Sequence, residues 1–292
     1  VLVGNDVELV LNDQPIFRRA LEPSNMRRFG LFHFPGQTDA RVRNLVWAGE
    51  WPKQLPALQD QELADIEFLT ELDRQAAAMQ VVQVDFTNGR EAPATFQKRL
   101  DTTGGAVSVY QVTKDGLQSI QQGRTADAYR FQALAAPHRL QGDFDIVVEF
   151  DRLQMDQVKE QEKFLGVSLA VGLESGPATR IYFHARRDSK GHIYLDAVSE
   201  DKLKDGSTRW DTQVFQQEAT AGRLRIARRG TNVYYLFASG DSDQFRLYRT
   251  QALTDSPVKA GSIELQTVTW GVGSTSVVWK SLLLRADEIS TD

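Results

Sequence analysis

Side chains able to grip a sugar or a peptide alternate along one short stretch of this chain. Arg180, Tyr182 and His184 alternate within Arg180-Ile181-Tyr182-Phe183-His184, and His192, Tyr194 and Asp196 alternate within His192-Ile193-Tyr194-Leu195-Asp196. In extended chain, successive side chains point to opposite faces. Each trio therefore shares one side, while Ile181, Phe183, Ile193 and Leu195 point to a core. Asp188-Ser189-Lys190-Gly191 between them has the chemistry of a hairpin turn. Flat rings, a guanidinium and a carboxylate on one surface can stack on a ligand ring and bond its hydroxyls. The competing account is cross-strand pairing on an exposed sheet face, which needs no ligand.

Covalent chemistry has weaker candidates. Glu149 and Asp151 in Glu149-Phe150-Asp151-Arg152-Leu153-Gln154 fall on one face of a strand. Two carboxyl groups about 5 Å apart are the equipment of retaining glycoside hydrolysis. Three residues beyond Asp151 stands Gln154, and an amide cannot deliver a proton to a leaving group. The expectation is thus no catalytic residue, and a polar strand end running into the Gln154–Glu162 loop. Histidines occur only at positions 33, 138, 184 and 192, and no Gly-x-Ser-x-Gly elbow is present. Gly30 and Gly36 flank a strand-like run and Gly271-x-Gly273 ends one, so neither makes a phosphate loop. The acidic turn Asp241-Ser242-Asp243 is short of the roughly six oxygens that Ca²⁺ takes. With no cysteine, thiolate metal sites, disulfides and thiol nucleophiles are excluded. No cofactor and no metal are expected.

The elements that position these groups are strands. Phe144, Ile146, Val148 and Phe150 alternate with mostly polar neighbours, and Leu165, Val167, Leu169, Val171 and Leu173 alternate with Gly166, Ser168, Ala170 and Gly172. The small residues should leave room above that sheet face. Further strands are expected at Gly222–Arg228, Asn232–Ala238, Gln244–Arg249, Gly261–Thr269 and Ser276–Arg285, with turn residues between them. The basic run Arg223, Arg225, Arg228 and Arg229 reads as a solvated strand edge that guards against aggregation. One segment departs from this period. Leu63, Ile66, Leu69, Leu72, Ala76 and Met79 recur at helical spacing, with Asp60 placed to cap and Glu62, Asp65 and Glu67 near the start. Residues 52–80 are read as a helical connector.

The chain's first strands look like a weak copy of its last. Asn5–Leu11 parallels Thr231–Phe237, Gly30–Phe34 parallels the strand opening at Gly261, and Val42–Trp47 parallels Val277–Leu282. Residues 1–51 then read as the terminal strands of a partial sandwich, or as strands added to the downstream one. At 292 residues, 41% of them apolar and 25% charged, the chain is a folded globular one. Its 34 Lys+Arg against 39 Asp+Glu leave a net charge of −5, which argues against a nucleic-acid partner. No window approaches the roughly 18 apolar residues of a membrane-spanning helix. The opening Val1-Leu2-Val3-Gly4 shows neither Met nor a signal peptide, as in a processed chain or a fragment. Absence of cysteine suits an extracytoplasmic protein and many cytoplasmic ones.

Leu140–Asp145, Gly222–Gly230 with Tyr234-Tyr235, and the closing Val278–Leu284 strand resemble the concanavalin A-like (laminin-G-like) jelly-roll domains of large secreted bacterial proteins. Among these it resembles a planctomycete-type family of unknown function. Trp47-Ala48-Gly49-Glu50-Trp51-Pro52 is similar to a linker of that family. The resemblance implies an all-β antiparallel jelly-roll sandwich over residues 81–290, and an extracytoplasmic place. Retaining glycosidases of that fold carry Glu-x-Asp-x-x-Glu, which the Gln154 stretch departs from. The resemblance lends no activity. The expected function is a non-catalytic module for glycan or protein binding or surface assembly. The alternative is a glycoside hydrolase or lyase with an atypical carboxylate site. Expected partners are a glycan and other protein chains, or an upstream fragment of the same polypeptide.

Overall fold

Where β-branched and aromatic residues recur with period two, the computed structural model has strands. It describes three short strands near the start and then residues 60–291, apart from 127, 159–162, 175–177, 204, 241, 243 and 254–257; side chains are described from residue 67. Contacts divide the chain into Val1–Gln59 and Asp60–Asp292. In the first unit, β1 (Leu2–Val3), β2 (Asp6–Leu11) and β3 (Gln14–Ala20) pair antiparallel in that order. The expected strands at Gly30–Phe34 and Val42–Trp47 lie outside the described residues, as do Trp47–Pro52 and the turn residues Asp241 and Asp243.

The second unit opens with α1 (Asp60–Ala76). It continues with β4 (Gln80–Asp85), β5 (Gln97–Arg99), β6 (Val107–Thr113), β7 (Gly116–Gly123), β8 (Tyr129–Ala136) and β9 (His138–Met155). β10 (Phe164–Leu173), β11 (Ala178–Asp188), β12 (Ile193–Lys202) and β13 (Thr208–Gln216) form a meander. β14 (Gly222–Arg229), β15 (Asn232–Ser239), β16 (Arg246–Ala252), β17 (Lys259–Trp270) and β18 (Gly273–Thr291) complete it. The described pairs are all antiparallel, and the fold is an all-β sandwich with one helix.

Two layers face each other. The first runs β13-β12-β11-β10-β17 and continues through β8 to β5. The second runs β16-β15-β14-β9 and continues through β18 to β4 and β7. β17 reaches across to β9 only at Lys259 and Ala260. Val167, Leu169, Ile181, Phe183 and Leu265 of the first layer are buried against Ile146, Val148, Leu224, Tyr235 and Trp279 of the second. Phe183 meets Tyr235 edge-on at 5.7 Å between centroids. Each such fully buried large apolar side chain contributes about 1.5–3 kcal/mol of burial.

The helix is shorter than its apolar spacing suggested, and it is packed. Leu72, with Phe68 and Leu69, lies on Ala227, Leu236, Tyr234, Phe245 and Leu247, on the outer face of the second layer. That placement corrects the reading of the basic run. β14 lies between β9 and β15, so it is not an edge. Arg225, 2% exposed, donates to both oxygens of Asp145 at 2.9 and 2.5 Å and to Asp73 of α1 at 2.6 Å. Arg229 donates to Asp145 and to the Leu72 carbonyl, each at 3.2 Å. Arg228 holds Asp143 at 2.8 Å. Alternation places Arg225 and Arg229 opposite Leu224 and Ile226, and the helix covers that face and makes these two its anchors.

Candidate ligand site on the first layer

Strand register sets the outward face of the first layer in rows of opposed residues. One row runs Val214–Asp196–His184–Ser168–Gln266. On one side of it stands Thr212–Val198–Tyr182–Ala170–Glu264, and on the other Gln216–Tyr194–Arg186–Gly166–Val268. Ile181, Phe183 and Leu195 point into the core as their alternation requires, and Ile193 is half-buried. Arg180, Tyr182, His184, Tyr194 and Asp196 thus share the outward side.

That side is not an open shelf. Tyr182 is 7% exposed, stacks on His184 at 5.3 Å with 12° between the ring planes, and donates to Glu200 Oε2 at 3.1 Å. It also packs in a small apolar cluster with Ala170 and Val198. Asp196 is fully buried and paired with the Arg186 guanidinium. The space over the small residues is filled as well. A Cβ on Gly166 would meet the Ala185 carbonyl at 2.4 Å and Arg186 Cβ at 2.7 Å. This corrects the expectation of open space above β10, because neighbouring side chains lie across the small ones. Arg180 and Tyr194 remain half-buried, and His192 is exposed beside the turn, its Nδ1 at 3.5 Å from Asp188 Oδ2.

Concavity appears at one end of the face. A pocket of about 290 Å³ opens between the β11–β12 turn and the ends of β10 and β17. Phe164, Tyr194 and Trp270 supply its rings, and Lys163, Arg186 and Lys190 its cations. Asp188 and Ser189 of the turn complete the wall. The rings lock one another: Phe164 meets Trp270 at 5.5 Å, nearly perpendicular, and Tyr129 contacts both. The Arg186 guanidinium lies 4.2 Å from the Phe164 centroid and 5.2 Å from that of Tyr194, and Lys163 Nζ lies 4.2 Å from the Trp270 ring. Asp188 is held by the turn it belongs to, accepting from the Lys190 and His192 amides at 2.9 and 3.0 Å.

Of the residues expected to bind, Tyr194 alone lines this pocket. Arg186 continues the same alternation two residues beyond His184 and was legible there. Phe164 and Trp270 come together only through the β10–β17 register, in which they are directly opposed.

Burial sets the local titration. It pushes the Asp196 carboxyl up to about 7, against the opposing pull of Arg186. Burial, and then Arg186, holds His184 well below the usual histidine range, so its ring is neutral. Burial likewise raises the Tyr182 phenol to about 12. Ser168, His184 and Asp196 are the residue types of a nucleophilic triad in one row. They do not act as one: Ser168 Oγ is buried without a hydrogen bond, and Asp196 pairs with Arg186.

The carboxylates near Gln154 stand elsewhere. β9 belongs to the second layer, with Phe150 in the core and Glu149 and Asp151 turned outward. Glu149 accepts from Ser281 at 3.2 Å, and Asp151 lies 3.6 Å from Arg152 Nε. Arg152 has φ 52°, and the pairing register shifts there, so simple alternation does not carry through to Gln154. Gln154 lines a separate depression of about 190 Å³ with Asp115 and Arg152. Among the described residues, no group of three His, Cys, Asp or Glu side chains is placed to hold a metal ion.

A family model described as "Protein of unknown function (DUF1583) C domain" matches residues 58–292, and one described as "Domain of unknown function (DUF1583_N)" matches residues 1–54. No curated protein matches the chain. Among solved structures, it is similar to a legume lectin-like domain from Entamoeba histolytica (11% identity, TM-score 0.46, covering 72% of this chain and 97% of that one). It is similar also to the CBM2 module of Lactobacillus casei BL23 phage J-1 evolved Dit (8% identity, TM-score 0.45, covering 73% and 98%). A third is the apo Crh5 transglycosylase (12% identity, TM-score 0.42, covering 72% and 86%).

Proposed function

The chain belongs to the DUF1583 family, whose description brings no activity with it, and we propose from the site alone that it is a non-catalytic glycan-binding module. One observation carries this reading: the pocket at the end of the first layer, where Tyr194 and Trp270 stand beside polar and charged groups. Its volume of about 290 Å³ suits one or two sugar units, near the lower end of small-molecule sites. Trp270, packed against Phe164 and Tyr129, is a rigid platform, which reduces the ordering cost of binding.

A hydrolytic or lytic reading has a single observation behind it. Asp196, held near 7, has the titration of a general acid. It is fully buried against Arg186, and Asp188, the one carboxylate among the described residues that line the pocket, is bound by turn amides. Neither is placed as a reacting pair. The module reading extends to an extracytoplasmic or cell-surface location, and to protein partners that cover residues 1–51.

A glycan array followed by calorimetry on the hits tests the function. Tyr194→Ala and Trp270→Ala should each weaken a bound glycan by about 1–3 kcal/mol, as removal of an aromatic anchor does. Release of reducing ends that disappears in Asp196→Asn would overturn the non-catalytic reading.

A further inference from the structure

The charge at the pocket runs against that of the molecule. The chain carries a net −5, yet among the described residues Lys163, Arg186 and Lys190 line the pocket against one carboxylate, Asp188. Asp188 Oδ1 accepts from both turn amides, and Oδ2 is faced by His192 Nδ1 at 3.5 Å. Arg186 is the central group. Its side chain is 15% exposed and lines the pocket, Nη2 pairs with Asp196, and the buried Nε has no hydrogen-bond acceptor. A guanidinium has several N–H donors in a planar fork and keeps its charge at any physiological pH. Asp196 therefore uses one side of Arg186 only, and burial draws that carboxyl towards its neutral form. The rings of Phe164 and Tyr194, at 4.2 and 5.2 Å, fix the plane of the fork. A fixed, incompletely paired guanidinium between aromatic walls matches a planar or tetrahedral oxyanion carried on a ring.

We propose that this pocket holds the charged unit of an acidic glycan, a uronate or a sulfated sugar, with Arg186 bonding the anionic group and the Tyr194 and Trp270 rings walling the sugar. The proposal rests on the glycan-binding reading and narrows it to a substrate class. Lys163 and Lys190 add attraction that salt screens, and Arg186 supplies the directional bond.

The test uses the full chain and calorimetric titration with an oligogalacturonate, its fully methyl-esterified form, a heparin-type sulfated oligosaccharide, and polyglutamate. The ester keeps the sugar and removes the charge. The acidic sugars should bind at least ~10-fold more tightly than the ester, with affinity falling as salt rises. Arg186→Lys preserves the charge opposite Asp196 and loses the fork, and should weaken the acidic sugar by about 10-fold. Lys190→Gln, on the exposed turn, should weaken it by about 3-fold, so that the charge dependence stays measurable if the Arg186 variant fails to fold. Equal binding of ester and acid would overturn the acidic class and leave the glycan reading standing. Binding of polyglutamate as tightly as the uronate would overturn it as a bare anion site. Failure of every sugar to bind would overturn both.

Discussion

Tyr182 and Tyr194 lie on adjacent strands of one face and do different work. Tyr182 is wedged against His184, Ala170 and Val198, whereas Tyr194 lines the pocket. Tyr182→Ala should therefore lower the unfolding free energy by about 3 kcal/mol, the scale of truncating a buried aromatic. Tyr194→Ala should leave stability within about 1 kcal/mol and act on binding. Urea unfolding beside calorimetric titration separates them, and a destabilisation larger for Tyr194→Ala would reverse the assignment. Asp196 permits a prediction with a sign. In the folded chain burial keeps its proton on up to about pH 7, while the unfolded chain releases it near ~4. The folded state thus binds the extra proton between those values. The stability this gives is complete below pH ~4 and is lost as pH rises to about 7. His184 works in the other direction, its contribution present above ~6.5 and lost as pH falls. Asp196→Asn removes the first effect and leaves the second. The variant should gain stability relative to the parent chain as pH rises from 4 to 7, measured as the difference in melting temperature; a constant difference would refute it. The alternation of residues 180–196 was enough to place these side chains on one face. It carries nothing about what lies across them, and for that reason Tyr182, His184 and Asp196 read as exposed ligand contacts when they are packed.

The helix shows the same limit one level up. Its three-to-four spacing is visible in Leu69, Leu72 and Ala76, so its existence was legible. Its partner was not, because Arg225 and Arg229 look solvated until a helix lies over them. Once α1 is docked, Asp145 is a fully buried carboxylate shared by Arg225 and Arg229, and Arg225 reaches on to Asp73 of the helix. The pair ties α1, β9 and β14 together. Removing one member of a buried pair costs more than the pair contributes, since the other charge stays buried. Asp145→Ala should therefore destabilise by about 3–5 kcal/mol. Leu72→Ala should cost about 2–4 kcal/mol through the lost apolar contact. If Asp145→Ala unfolds at the parent's urea midpoint, the network is not an anchor of the helix.

At the scale of the whole chain, the described core of the sandwich comes from its own strands and helix. The main buried cluster draws its residues from Val84 to Ala286, and its second, helix-side cluster from Leu72 to Leu236. The long strands β9 and β18 pair along most of their length and join the parts of the second layer. Val1–Gln59 is a compact unit of its own, ending near the boundary where the two family models meet. The strand pattern from Val81 onward made that sandwich legible, because alternation and turn spacing are local properties. Which early segment belongs to which core is a matter of long-range contact and left no local mark. A fragment beginning at Leu58 keeps α1, both layers and every described residue that lines the pocket. It should run as a folded species on gel filtration and unfold in one cooperative step. Its melting temperature should lie within about 4 °C of the full chain's, the shift that ~1 kcal/mol produces in a domain of this size. It should also bind whatever glycan the full chain binds, with unchanged affinity. Aggregation of the fragment, or loss of its cooperative transition, would mean that residues 1–57 complete the fold and that the pocket depends on them.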